Sequence, residues 1–318
     1  MPCMKNYQHT QPSNACNRHA DGPLCDAAQP YERPTCRAAV LSERSAIRRM
    51  RRAGLALLVA MGVGGCMSPV RRADDMAAEG ALTPLILQGA GFVHFAYQRI
   101  RSDDDGLTLF IEGDGSPWTG GGRTVAADPT PHAPIALALA AATPGSVLYL
   151  GRPCYFGART DRACEPRWWT SDRYSEAIVA SLAAAANRFI AQHPVRRVIL
   201  VGYSGGGTLA VLMAGRVPQV TAVVAVAANL DPQEWARRHH YLPLTGSLDP
   251  ALQPPLPVAL PQWYLVGDRD VNVPYAASSR YLDRLPREDI WHFAKFDHRC
   301  CWVEAWPETY GRIRTLLR

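Results

Sequence analysis

The sequence predicts an α/β architecture, a mostly parallel twisted sheet with helices on both faces. Three observations carry that expectation. Short continuous apolar runs at 107–111, 147–150 and 198–201 read as strands buried on both faces. Longer stretches with an apolar residue every three or four positions lie between them and read as helices. The strand-then-helix order continues to the end of the chain with no internal repeat, and connections of that kind leave the strands parallel.

Taken in order, residues 85–87 and 91–99 read as a β-hairpin about Gly89-Ala90-Gly91. The strand at 107–111 leads into a loop rich in Gly, Pro and Asp up to Pro134, and then a helix to about Ala142. After the strand at 147–150, residues 172–192 form a long helix with Ile178, Leu182, Ala185, Ala186 and Phe189 on one stripe, stopped by His193-Pro194. A strand at 198–201, a helix at 205–216 and a strand at 220–227 follow. Strands at 263–266 and 290–296 are each succeeded by a helix, at 274–285 and 302–317. Residues 229–261 are proline-heavy and irregular, a small insertion over one end of a single domain that spans 82–318.

The N-terminal region is different in kind. Residues 1–65 carry nine Lys and Arg against four Asp and Glu, so most of the net charge of +6 lies there. The remainder is nearly neutral, which excludes a basic surface for nucleic acid. Residues 1–49 lack any helical or strand period, and Cys3, Cys16, Cys25 and Cys36 are too scattered for a zinc site. They read as a disordered leader, or as translated sequence upstream of a start at Met50.

From Met50 the chain runs Arg51-Arg52, an apolar segment, then Val63-Gly64-Gly65-Cys66. A positive start, a short apolar run and small residues before a cysteine make a secretory signal over 50–65. The apolar run of about 13 residues is too short to span a bilayer. Val-Gly-Gly-Cys resembles the lipobox of bacterial lipoproteins, which implies lipidation of Cys66, an envelope location and a membrane attached through lipid. Residues 66–81 would then be a tether. In an oxidising compartment, Cys154 and Cys164, which enclose nine residues of polar loop, are expected to form a disulfide. Closing that loop contributes on the order of 2–3 kcal/mol. Cys300 and Cys301 are adjacent, and spacing leaves their partners open.

The chemistry centres on Gly202-Tyr203-Ser204-Gly205-Gly206, between a buried strand and a helix. Gly-x-Ser-x-Gly in that setting forms a tight turn that lifts the serine hydroxyl out of the sheet at a helix N-terminus. A serine needs a base, and the base needs an orienting carboxylate. The run Gly267-Asp268-Arg269-Asp270-Val271-Asn272-Val273-Pro274 follows one late strand, and Asp297-His298 follows the last. Both fall at the C-terminal ends of strands, where ligands bind in open α/β sheets.

With these motifs the chain from about Leu85 to its end resembles the α/β-hydrolases. The resemblance implies Ser204 as nucleophile, His298 as base and Asp270, three residues before Val273-Pro274, as acid. Asp268 is the alternative acid, and otherwise a turn or cap residue. It also implies an oxyanion hole from the N–H groups of Gly205 and of Asp114, in the loop Glu112-Gly113-Asp114-Gly115. Glu112 stands where this family usually has histidine, and a partner such as Arg152 or Arg123 is expected for it. Trp118 and Tyr203 are expected to contact the substrate. His239 and His240, beside two arginines in the insertion, read as solvated surface. The expected partner is a small acyl substrate handled by a monomer without metal or cofactor. A peptidase, a thioesterase or a non-catalytic envelope protein on the same fold are the alternatives.

Overall fold

The computed structural model describes residues 68–157 and 162–317. The leader, signal and lipidation expectations at 1–66 lie outside the described residues.

The first described element contradicts the expected tether. Residues 66–81 were to be a spacer, but Pro69–Glu79 is a helix, α1. The Ser68 side chain caps it by accepting from Arg71 N–H, with Pro69 in the first turn. Ala73 and Ala77, one turn apart, are buried, and Tyr97 donates to Asp74 over 2.7 Å. A stripe of two alanines is too weakly hydrophobic to reveal a helix by periodicity, yet its small size allows close packing.

The sheet elements are β1 (Thr83–Gln88), β2 (Val93–Arg99), β3 (Gly106–Ile111), a two-residue hairpin β4 (Trp118–Thr119) with β5 (Thr124–Val125), β6 (Val147–Leu150), β7 (Arg197–Tyr203), β8 (Val220–Val226), β9 (Gln262–Gly267) and β10 (Ile290–Phe293). Between and after them come α2 (Ile135–Ala142), α3 (Glu176–Ala191), α4 (Gly205–Met213), α5 (Pro232–Arg238), α6 (Tyr275–Leu282) and α7 (Trp302–Leu316). The main sheet has eight strands in the order β1-β2-β6-β3-β7-β8-β9-β10. β2 is antiparallel to both β1 and β6, and every pair from β6 to β10 is parallel. The β1–β2 hairpin, the continuous apolar strands and the helix positions match the sequence expectation to within a few residues. Among the described residues no helix is long and apolar enough to cross a membrane.

Helices α1, α2 and α7 pack together, and α3 packs with α4. The buried hydroxyl of Thr108, in the middle of β3, meets that of Tyr310 on α7 at 2.6 Å, and Trp306 Nε1 donates to Thr143 Oγ1 at 2.7 Å. The chain therefore ends by locking its last helix under the central strands. Since β3, β7, β9 and β10 are parallel, the segments after all four emerge at one edge of the sheet. The register sets Ile111 opposite Gly202, which brings the loop after β3 alongside the turn after β7.

Candidate active site

The turn after β7 is strained in the way a nucleophile turn requires. Ser204 has φ 52° and ψ −122°, a left-handed conformation that a residue with a Cβ adopts only under constraint. Two glycines permit it. A Cβ on Gly202 would collide with the Gly206 backbone, and one on Gly206 with the Ile111 carbonyl. Ser204 N–H is held by the Val226 carbonyl at 2.8 Å, and the hydroxyl stands at the N-terminus of α4.

His298 lies across from it on the loop after β10, its Nε2 at 3.0 Å from Ser204 Oγ. Its Nδ1 is 2.8 Å from Asp270 Oδ2. A carboxylate only accepts, so the imidazole proton sits on Nδ1 and Nε2 is left to accept from the serine. Asp270 Oδ1 accepts from the N–H groups of Asn272 and Val273, at 2.9 and 2.7 Å, which fixes the carboxylate in its own loop. Asp268 instead meets the exposed His292 at 2.7 Å, away from Ser204.

A cavity of about 1070 Å³ opens over Ser204 and His298. Gly113, Asp114 and Gly115 form one wall, and Trp118, Tyr241 and Leu242 reach it from two exposed loops.

The fold has counterparts among known proteins. A family model described as the alpha/beta hydrolase fold matches residues 158–253, which include the Ser204 turn. The chain has the α/β-hydrolase fold. An esterase of Pyrococcus furiosus matches with a TM-score of 0.51 at 13% identity, over 80% of this chain and 94% of that one. A second crystal form of the esterase gives 0.51 at 12% identity, over 80% and 96%. A serine hydrolase without a lid from Xanthomonas campestris is similar at 14% identity, over 73% and 94%, with a TM-score of 0.47. At these identities the likeness is one of fold. No curated protein matches the sequence.

Within this fold the loop after β3 departs from expectation in its pairing. Glu112 reaches neither Arg152 nor Arg123. It turns inward to the start of α2, accepting from the N–H groups of Ala136 and Leu137 at 3.3 Å each, from Gly113 N–H at 3.0 Å and from Tyr149 hydroxyl at 3.3 Å. Residue 134, at the cap of α2, is proline and has no side-chain oxygen, so the carboxylate of a distant residue satisfies the open amides. Burial pushes its carboxyl up to about 7 against the pull of those four donors.

Arg152 pairs with Asp114 instead. Asp114 Oδ1 accepts from Arg152 at 2.6 Å, and Oδ2 accepts from Arg173 at 2.9 Å and from Tyr174 hydroxyl at 2.7 Å. Burial alone would raise this carboxyl, but the charges of Arg173 and Arg152 and the Tyr174 bond outweigh it and hold it down at about 2. Arg173 and Tyr174 carried no motif. Their approach depends on where the start of α3 crosses the sheet, so no local pattern marks them.

Of the other expected residues, Gly205 occupies the first turn of α4, where amides have no intrahelical acceptor. Gly113 packs against Ser204, with Asp114 next in the cavity wall. Trp118 lines the cavity from the β4–β5 hairpin. Tyr203 lines it too, but its hydroxyl is committed to the His298 carbonyl at 2.6 Å. Cys154 and Cys164 are bonded to each other, as are Cys300 and Cys301. His239 is not on the solvated surface expected of it. It is half-buried, Nε2 donating to the Asn272 carbonyl at 2.7 Å, its ring stacked on Tyr241. With Trp235, which donates to the same carbonyl at 3.0 Å, it ties the insertion to the acid loop. His240 is exposed and lines the cavity.

Proposed function

We propose that the chain is a serine hydrolase that cleaves a carboxylic ester through an acyl-enzyme. The reading rests on one observation, the unbroken line from Asp270 through His298 to Ser204 at the cavity floor, with 2.8 and 3.0 Å steps.

In the first half-reaction Ser204 Oγ bonds to the acyl carbon as its proton passes to His298 Nε2. The carbonyl oxygen takes the electron pair and is met by the N–H groups of Asp114 and Gly205. Collapse breaks the bond to the alcohol oxygen, which receives the proton from Nε2. A water then repeats the sequence on the acyl-enzyme, releasing the acid and restoring the Ser204 hydroxyl. Asp270 holds the tautomer and stabilises the transient imidazolium. The apolar rim of Trp118, Tyr241 and Leu242 favours an ester with an aliphatic or aromatic acyl group. The same steps would cleave a thioester or an amide, and relative rates on matched substrates separate those readings.

The test is labelling with a fluorophosphonate. The protein should take one equivalent at Ser204, and Ser204→Ala should lose both label and esterase turnover. Wild-type turnover in Ser204→Ala would refute Ser204 as the nucleophile, and a wild-type protein with neither label nor turnover would leave a non-catalytic envelope protein as the better reading. The envelope location is also a proposal. It rests on the lipobox-like Val63-Gly64-Gly65-Cys66, and Cys66→Ser should release the protein from the membrane fraction.

A further inference from the structure

We propose that Arg152 and Arg173 are positioning residues that hold the oxyanion loop in place through the Asp114 carboxylate, an inference that rests on the acyl-transfer function above. Four side chains converge on this one loop residue. Besides the contacts of Arg152, Arg173 and Tyr174 to the carboxylate, Tyr155 hydroxyl donates to the Asp114 carbonyl at 2.9 Å. Side chain and carbonyl are thus both held, which restricts rotation of the residue whose N–H faces the oxyanion in this reading.

The supports are themselves held. Arg152 donates from Nη2 to the Arg173 carbonyl at 2.7 Å, and Arg173 Nε donates to the Thr170 carbonyl at 2.6 Å. The Arg152 guanidinium also lies 5.3 and 5.6 Å from the ring centres of Tyr155 and Tyr174. The carboxylate is wedged against the second donor residue as well. A Cβ on Gly205 would run into Asp114 Oδ1 and the Tyr174 hydroxyl. One carboxylate therefore spaces the two residues whose amides would share the oxyanion.

Stability is a poor reason for such a cluster. Two guanidiniums against one carboxylate leave an excess buried charge, and buried ion pairs rarely stabilise a fold more than apolar packing of equal volume. What they provide is fixed orientation. For an oxyanion hole orientation matters steeply, because an error of about 1 Å can cost on the order of 100-fold in rate. Proton transfer is no alternative role, since Asp114 stays ionised across the neutral range.

Arg173 also lines the cavity, so the competing role is binding an anionic group of the substrate. Arg173→Met, Arg173→Lys and Tyr155→Phe separate the two. Each variant is titrated with fluorophosphonate so that kcat refers to active sites, and KM and the affinity for a boronic acid, whose adduct places an oxygen in the oxyanion position, are measured alongside. Arg173→Met should lower kcat roughly 10- to 100-fold with KM within about twofold, and boronate affinity should fall in step. Arg173→Lys should recover part of the loss, as it restores charge without the fork. Tyr155→Phe removes only the carbonyl contact, should show the same split at about 3- to 10-fold, and carries the test if Arg173→Met does not fold. Unchanged kcat per titrated site would overturn the proposal, and so would a raised KM at unchanged kcat, which would make Arg173 a substrate contact. A wild-type protein that takes no fluorophosphonate removes the acyl-transfer reading itself, and the positioning role with it.

Discussion

His298 Nδ1 lies 2.8 Å from Oδ2 of Asp270. The neighbouring Asp268, two residues earlier in the same loop, is turned to the exposed His292. The turn after β9 explains the division, because Asp268 N–H is held by the Phe293 carbonyl of β10 at 3.1 Å while Asp270 N–H bonds back to the Gly267 carbonyl at 3.1 Å, so the chain reverses between the two carboxylates.

Substitution should reproduce that division. Asp270→Asn keeps the shape but lets the imidazole take the wrong tautomer, so kcat should fall by roughly 10⁴. Asp268→Asn should stay within about twofold of the parent, with both proteins folded by circular dichroism. A crippled Asp268→Asn beside an active Asp270→Asn would reverse the assignment.

Much of this was legible because it is local. A parallel strand covered on both faces must be apolar throughout, so β3, β6 and β7 announce themselves. The Ser204 turn needs glycine at fixed offsets, and that too is written in consecutive residues. The choice of Asp270 over Asp268 rested on resemblance, since nothing in the loop composition separates them. What failed was pairing across the sheet. Glu112 looked like a charge in want of an arginine, but β6 delivers Tyr149 to it and the N-terminus of α2 supplies amides. Arg152 was thereby free for Asp114. Such partners follow from strand order, and strand order is not a property of any single segment. Helix α1 was missed for a different reason, its buried face being only Ala73 and Ala77.

Tyr203→Phe distinguishes substrate contact from support of the base. Its hydroxyl donates to the His298 carbonyl at 2.6 Å, so its loss should loosen the His298 loop. A net hydrogen bond of about 1 kcal/mol corresponds to roughly a fivefold change. We expect that loss in kcat, with KM steady and melting temperature nearly unchanged. A rise in KM alone would return Tyr203 to the role of substrate contact.

The Cys154–Cys164 disulfide encloses the segment that supplies Tyr155, two residues after Pro153 and three after Arg152. Replacing both cysteines with serine should cost on the order of 2–3 kcal/mol in urea unfolding. Because Arg152 and Tyr155 both hold Asp114, kcat should also fall under conditions where the variant remains folded. A variant equally stable and equally active would mean that the turn keeps its shape without the bond.

Glu112 gives the stability of the protein a pH dependence whose sign can be worked out. Its carboxyl is pushed from an ordinary 4.5 up to about 7 by burial. Below about 4.5 the group is protonated in both the folded and unfolded chain, and its stabilising contribution is complete. Between 4.5 and 7 the unfolded chain has released the proton while the folded chain keeps it, so stability falls as pH rises. Above 7 both forms are ionised and the contribution is lost, a difference of about 3 kcal/mol over the window. Glu112→Gln does not titrate. Its amide can still accept from the α2 amides through one oxygen, while the Tyr149 hydroxyl turns to accept from the other side. The variant will be less stable at pH 4.5 by whatever that rearrangement costs, so the slope and not the absolute value is the readout. Urea unfolding at intervals from pH 4.5 to 8 should show the parent losing stability relative to Glu112→Gln, with the two curves parallel above pH 8. Curves parallel across the whole range would mean that the four donors, three of them backbone amides, keep Glu112 ionised in the folded protein.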